Sequence, residues 1–182
     1  MPVSYSGGLA KEYSTVRNKA GVFDVSHMGQ LSVTGPEANF FLNYLTVNNV
    51  DKIQDGGAQY SMFCNDNGKV IDDIIIYRNN EESFFIIVNA SNIEKDYNWL
   101  LNMSGKVGLE NLSNQYSILA VQGPLSRDLL VRILDVDLTK MAFYTFNIFK
   151  LFDEDVIISR TGYTGELGYE IIGNHSAIKQ IW

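Results

Sequence analysis

The chain has 182 residues, of which 46% are hydrophobic and 19% charged, with a net charge of −7 and a single cysteine, Cys64. That balance supplies core enough for one domain of ordinary size or two small intertwined ones, and without a Lys/Arg cluster it argues against nucleic acid as a partner. One cysteine excludes an internal disulfide framework, no apolar run nears the roughly 18 residues of a membrane span, and no signal-peptide pattern opens the chain, so a cytoplasmic, membrane-free protein is expected.

Residues 9–20 read as a helix, with Leu9, Tyr13, Val16 and Ala20 on one stripe and Gly21 as its stop. Between that helix and a short strand at 30–34 lies Phe23-Asp24-Val25-Ser26-His27-Met28-Gly29. Ser26 and His27 suggest a nucleophile and a base, but neighbours on an extended chain point apart, so no dyad follows. Gly35-Pro36 opens a second helix whose apolar face is Phe40, Phe41, Tyr44 and Leu45. Residues 58–64 form a strand in which Tyr60 and Met62 read as core with a possible view of a pocket, and Cys64 as a small core residue. Asn65-Asp66-Asn67-Gly68 is a turn signal.

The strand that follows, Val70-Ile71-Asp72-Asp73-Ile74-Ile75-Ile76-Tyr77, is the most informative segment. Strand side chains alternate between faces, so each otherwise apolar face carries one carboxylate. A carboxylate taken out of water costs several kcal/mol unless it is paired or hydrogen-bonded, and such groups gather at functional sites. One carboxylate at a wet sheet edge and the other capping a neighbouring loop would house the pair without any function, and periodicity does not choose between Asp72 and Asp73. Residues 78–82 form a turn, 84–89 a buried strand, and Ser91 caps a helix through about Met103 with Ile93, Tyr97, Leu100 and Leu101 inward.

A repeat then becomes visible. Leu31-Ser32-Val33-Thr34-Gly35-Pro36 is echoed by Leu119-Ala120-Val121-Gln122-Gly123-Pro124, 88 residues later. Each leads into a helix, then strands (145–152, 156–160 and 167–172 in the second copy), then a closing helix, which starts at Asn174 in the second copy. The reading is a duplicated strand–helix–strands–helix unit, residues 1–115 and 116–182, in an α+β fold of ferredoxin-like antiparallel sheets with packed helices. The segment 160–170 is a glycine-rich hairpin, neither a Walker loop nor a dinucleotide fingerprint. It carries Tyr163, a flat surface for a ring, and Glu170, which suits an amidine-like edge; from the residues alone, a plain turn with a solvated glutamate is the favoured account. Two histidines and one cysteine make no metal set.

Five segments in order resemble the aminomethyltransferase family, the T-protein of the glycine cleavage system. They are residues 21–29, 67–73, Val88-Asn89-Ala90 with Glu94-Lys95-Asp96, 119–124 and 162–166. Each is weak alone; in register they are specific. The resemblance implies a folate-binding core, shortened at both ends, beginning with the stretch Pro2 to Ser6 and lacking the family's C-terminal barrel domain. It implies transfer of a methylene carbon from the aminomethyl-lipoyl arm of the H-protein to tetrahydrofolate, with release of ammonia. It assigns the catalytic carboxylate, expected in a low-dielectric pocket, to Asp73, and the grip on the pterin edge to Glu170. Met28, Tyr60, Asn89 and Tyr163 match positions lining the folate pocket, and Asp72 becomes a structural partner bound to backbone or a basic side chain. Relatives of the same fold act as demethylase or oxidase domains, or bind folate without catalysis. Where the binding-only relatives carry a Lys-Gly-Cys-Tyr-type motif, this chain reads Arg160-Thr161-Gly162-Tyr163, with no cysteine.

Overall fold

The computed structural model describes residues 5–182, so most of the Pro2-to-Ser6 stretch and the start of the chain lie outside the described residues. The order is α1 (Leu9–Asn18), β1 (Gly21–Asp24), β2 (Gly29–Thr34), α2 (Ala38–Leu45), β3 (Gly57–Cys64), β4 (Val70–Asn80) and β5 (Ser83–Val88). Then follow α3 (Ile93–Met103), β6 (Gly108–Asn111), β7 (Tyr116–Gln122), α4 (Ser126–Leu134), β8 (Phe146–Leu151), β9 (Glu154–Ser159), β10 (Gly168–Asn174) and α5 (His175–Ile181). This is an α+β fold with two five-stranded sheets, ordered β3-β4-β5-β2-β6 and β8-β9-β10-β7-β1.

The two orders correspond strand for strand. β2 matches β7, the β3–β5 meander matches β8–β10, and β6 matches β1. The last correspondence has a topological twist, because β6 follows its sheet in sequence whereas β1 precedes its own. The compact units are accordingly Ser26–Tyr116 and, together, the residues through Val25 with Ser117–Trp182. A linear division after residue 115 meets the change of unit at 116/117 but assigns the amino-terminal segment to the other unit.

In the 26–116 unit the core lies under one face of the sheet. Leu31, Val33, Ile74, Ile76, Phe84 and Ile86 meet Phe41, Leu42, Leu45 and Leu100 of the helices there. An eight-residue helix buries one stripe, and in α2 the stripe is Ala38, Phe41, Leu42 and Leu45. Phe40 and Tyr44, expected inward, are exposed on the far side and stack on each other with ring centroids 6.5 Å apart. In α3 Leu100 is buried, but Leu101 is exposed and the buried residue one turn before Leu100 is Asp96. Ser91 does not cap this helix. A 3-10 turn, Ala90–Asn92, precedes it, and the Asn92 amide is committed elsewhere.

In the other unit α1 ends at Asn18 and buries no side chain, so Leu9 and Tyr13 are exposed and Gly21 opens β1 rather than stopping the helix. Arg17 lies over the Tyr13 ring at 5.4 Å. At α5 the Asn174 side chain accepts from the Ala177 N–H at 2.9 Å, the cap expected from the sequence.

Candidate active site

β4 presents its two aspartates to opposite faces. Asp72 shares the core side with Ile74 and Ile76 and is 5% exposed, whereas Asp73 is exposed on the other face. Both stand opposite β3, Asp72 across from Phe63 and Asp73 from Met62.

Asp72 is held by amides. Its Oδ2 accepts the Asn89 backbone N–H at 3.0 Å, and its Oδ1 accepts the side-chain amides of Asn89 at 3.0 Å and Asn92 at 2.6 Å. Among the described residues no basic side chain binds it; Lys95, on α3, donates to the Ile71 carbonyl at 2.7 Å. Burial pushes the Asp72 carboxyl up, but hydrogen bonds from Asp96, from the Asn89 backbone and side chain, and from Asn92 outweigh it and hold it below the ordinary value. Asp96 is fully buried beside it. Burial first, then its hydrogen bond to Asp72 and the Asp72 charge, push the Asp96 carboxyl up to about 7, against the pull of Lys95.

Asp73 is held by a phenol and the same asparagine. Tyr60 Oη donates to Asp73 Oδ2 at 3.1 Å, and Asn89 Nδ2 lies 2.9 Å from Asp73 Oδ1 and 3.1 Å from its backbone oxygen. Tyr60, read as core from the sequence, is 43% exposed, because it lies on the Asp73 face of β3 while Ser61 and Phe63 turn inward. Asn89 comes directly after β5 and bridges both carboxylates. Met28 precedes the Gly29–Val88 register pair just as Asn89 follows it, and its carbonyl accepts from the Gln30 amide. The structure therefore brings Asp73, Tyr60 and Asn89 together, with Met28 at the same end of the β2–β5 ladder. Asp73 itself is exposed in this chain.

Tyr163 and Glu170 belong to the other unit. Glu170 sits on β10 opposite Ser159, and Thr161 donates to its Oε2 while the Ser159 and Thr161 hydroxyls lie 2.7 Å apart. Burial, then the Glu170 charge, raise the nearby Tyr144 phenol. Tyr163 projects from the hairpin loop, 90% exposed. The loop, residues 160–167, is built around Gln122, which is 1% exposed. The Gln122 amide donates to the Thr161 and Tyr169 carbonyls at 3.3 and 3.4 Å, and its Oε1 accepts the Thr164 hydroxyl at 2.8 Å. A Cβ on Gly168 would lie 2.1 Å from Gln122 Oε1, and one on Gly162 2.4 Å from it; Gly162 also has φ +137°.

Sequence reasoning gave no role to Asp96, Asn92 or Gln122, although Asp96 and Gln122 fall in family-like segments. Asp96 had a signal: it falls on the inward period of α3 between Ile93 and Leu100, where an apolar residue belongs. Gln122 was visible otherwise only as part of the repeat.

The family described as the GCVT N-terminal domain matches residues 1–182. An aminomethyltransferase of Staphylococcus carnosus (strain TM300) is 42% identical over 185 residues, which cover 100% of this chain and 50% of that protein. The crystal structure of glycine cleavage system aminomethyltransferase T from Bartonella henselae superposes with a TM-score of 0.90 at 31% identity, over 100% of this chain and 49% of that one. Heterotetrameric sarcosine oxidase from Corynebacterium sp. U-96, in complex with pyrrole 2-carboxylate, shares the fold at a TM-score of 0.65 and 14% identity, over 93% of this chain and 85% of that one. The chain thus spans about half the length of the relatives that carry the aminomethyltransferase name.

Proposed function

The chain belongs to the GCVT N-terminal domain family, and from that membership together with the geometry around Asp73 we propose that it is the catalytic folate domain of an aminomethyltransferase of glycine cleavage. The reaction is transfer of a methylene carbon from the aminomethyl-lipoyl arm of an H-protein to tetrahydrofolate, with release of ammonia. Cytoplasm is the compartment assigned, and among the described residues no helix is long and apolar enough to cross a membrane.

One observation carries the reading. A solvent-facing carboxylate is fixed at both oxygens, by Tyr60 at 3.1 Å and Asn89 at 2.9 Å. A carboxylate oxygen has two acceptor positions, so each Asp73 oxygen keeps one for an N–H of a bound amine. That pair of acceptor positions fits the N–H groups of a reduced pterin, and tetrahydrofolate supplies the nucleophilic nitrogen. Asp73 orients that amine and opposes the positive charge that develops as the carbon is transferred. Orientation and preorganised charge are the two effects such a group contributes. Tyr60 and Asn89 remove the rotamer freedom that would otherwise blur both. Met28, Tyr163 and Glu170 are proposed as further folate-binding residues, Glu170 with its carboxylate already aligned by Thr161.

The test is Asp73→Asn in the full-length protein, assayed with aminomethyl-loaded H-protein and tetrahydrofolate. Turnover should fall about 100-fold or more, with the circular dichroism spectrum and unfolding midpoint nearly unchanged. Near-normal turnover would remove Asp73 from the mechanism.

A further inference from the structure

We propose that Asp72 and Asp96 share one proton, carried by Asp96, and that this carboxyl–carboxylate pair positions Asp73 through Asn89. The proposal deepens the aminomethyltransferase reading and rests on it for the role of Asp73, but not for the state of the pair.

The argument begins with donors. Asp96 is fully buried, and no amide or hydroxyl donor reaches either of its oxygens. The Lys95 amine stands 3.8 Å from Asp96 Oδ1, beyond hydrogen-bond reach, and is directed at the Ile71 carbonyl 2.7 Å away. Asn92, one turn before the buried Asp96 on the same face of α3, donates to Asp72 Oδ1 at 2.6 Å, so the group that Asp96 meets is the Asp72 carboxylate of β4. An ionised Asp96 would place two negative charges side by side in the core with a single cation at the edge. A buried charge without a partner costs several kcal/mol, and two adjacent carboxylates resolve that cost by keeping one proton between them. The proton belongs on Asp96, because Asp72 already collects three amide hydrogens. With the Asp96 O–H as the fourth donor, the roughly four acceptor positions of the Asp72 carboxylate are filled.

The consequence reaches the exposed face through one side chain. The Asn89 amide has two hydrogens. One points to Asp72 Oδ1 at 3.0 Å, which leaves the other shared between Asp73 Oδ1 at 2.9 Å and the Asp73 carbonyl at 3.1 Å. The backbone N–H of Asn89 is tied to Asp72 as well, at 3.0 Å. The charge of Asp72 thus fixes both the position and the rotamer of the residue that holds Asp73. Asp72, Asn89 and Asp96 are positioning residues in this arrangement.

Two measurements on the full-length protein test it. In a carbon-13 carboxyl titration, with Asp96 assigned by its loss in Asp96→Asn, the Asp96 carboxyl should read protonated at pH 6; an ionised Asp96 at pH 5 overturns the proposal. In steady-state kinetics Asp96→Asn, whose amide replaces the O–H donor, should keep kcat within about threefold. Asp96→Ala and Asp72→Asn should each lower kcat about tenfold or more while changing the KM for tetrahydrofolate less than about twofold. Equal losses in Asp96→Asn and Asp96→Ala overturn the positioning role. If instead Asp73→Asn leaves turnover intact, the aminomethyltransferase role of Asp73 fails, and the titration still decides where the proton resides.

Discussion

In one sheet the N–H of Gly35 donates to the Glu82 carbonyl at 2.9 Å, and in the other the N–H of Gly123 donates to the Leu167 carbonyl at 2.7 Å. The same bond ties the same Gly-Pro corner to the same hairpin, yet the hairpins differ. Between β4 and β5 the turn is Glu81-Glu82, while between β9 and β10 residues 160–167 loop out around the buried Gln122 amide. The core sides of the meanders differ in the opposite sense. β9 buries Val156 and Ile158, whereas β4 buries Asp72 with Asp96 facing it. These buried polar groups therefore lie in different places, Gln122 at a strand end and Asp72 with Asp96 under the sheet. A repeated framework tolerates this because strand order depends on which faces are apolar, and a single satisfied polar group leaves those faces in place.

The comparison can be broken most severely at the aspartates. Asp73→Asn should leave stability unchanged within about 0.5 kcal/mol while abolishing most turnover. Asp72→Asn should do the reverse in emphasis, lowering stability by about 2–4 kcal/mol because its amide turns donors toward donors; urea unfolding of both variants checks this. In the other unit, Gly168→Ala should cost about 2–3 kcal/mol, since its Cβ would lie 2.1 Å from Gln122 Oε1. Adding Gln122→Ala should recover part of that loss, and a double-mutant cycle that is additive would refute the fit.

A smaller and pH-dependent effect follows from Asp96. Its folded carboxyl sits near 7 against an ordinary 3.8, so between those values the native state keeps a proton that the unfolded chain has released. Stability from this group therefore falls as pH rises from about 4 to 7, by at most about 1.4 kcal/mol per pH unit, and is flat above. Asp72, whose folded carboxyl is lowered, loses its contribution only below 3.8, as pH falls through its folded value. The difference in unfolding free energy between wild type and Asp96→Asn, measured across pH 4–8, should carry the Asp96 slope. The smallest effect is expected at Arg17→Ala. Its ion pair with Glu166, 2.9 Å long, lies at the surface with side chains 40% and 26% exposed, so thermal unfolding should show the smallest loss of the set, because water and salt screen an exposed pair.

The alternation that placed Asp72 and Asp73 on opposite faces was readable, and so were the turn at 65–68, the duplicated corner at 88 residues' spacing and the cap at Asn174. β1 and β6 were not, because four residues such as Gly108–Asn111 acquire their strand character from the neighbour they pair with. The stripes of α1 and α2 were misjudged at Tyr13, Phe40 and Tyr44 for a related reason: aromatic residues satisfy a helical period whether or not another element covers them.

The sequence by itself determined the α+β class, the family-like segments in register and the choice of residues worth testing, because periodicity and local turn chemistry are properties of neighbours along the chain. Only the tertiary structure decided which aspartate is buried. Neither face of β4 is polar, so the outcome rested on α3 packing against one of them and bringing Asp96 and Asn92 with it. It also decided that one asparagine beyond β5 holds both carboxylates, since Asn89 lies 17 and 16 residues from Asp72 and Asp73 and meets them only because β5 pairs with β4.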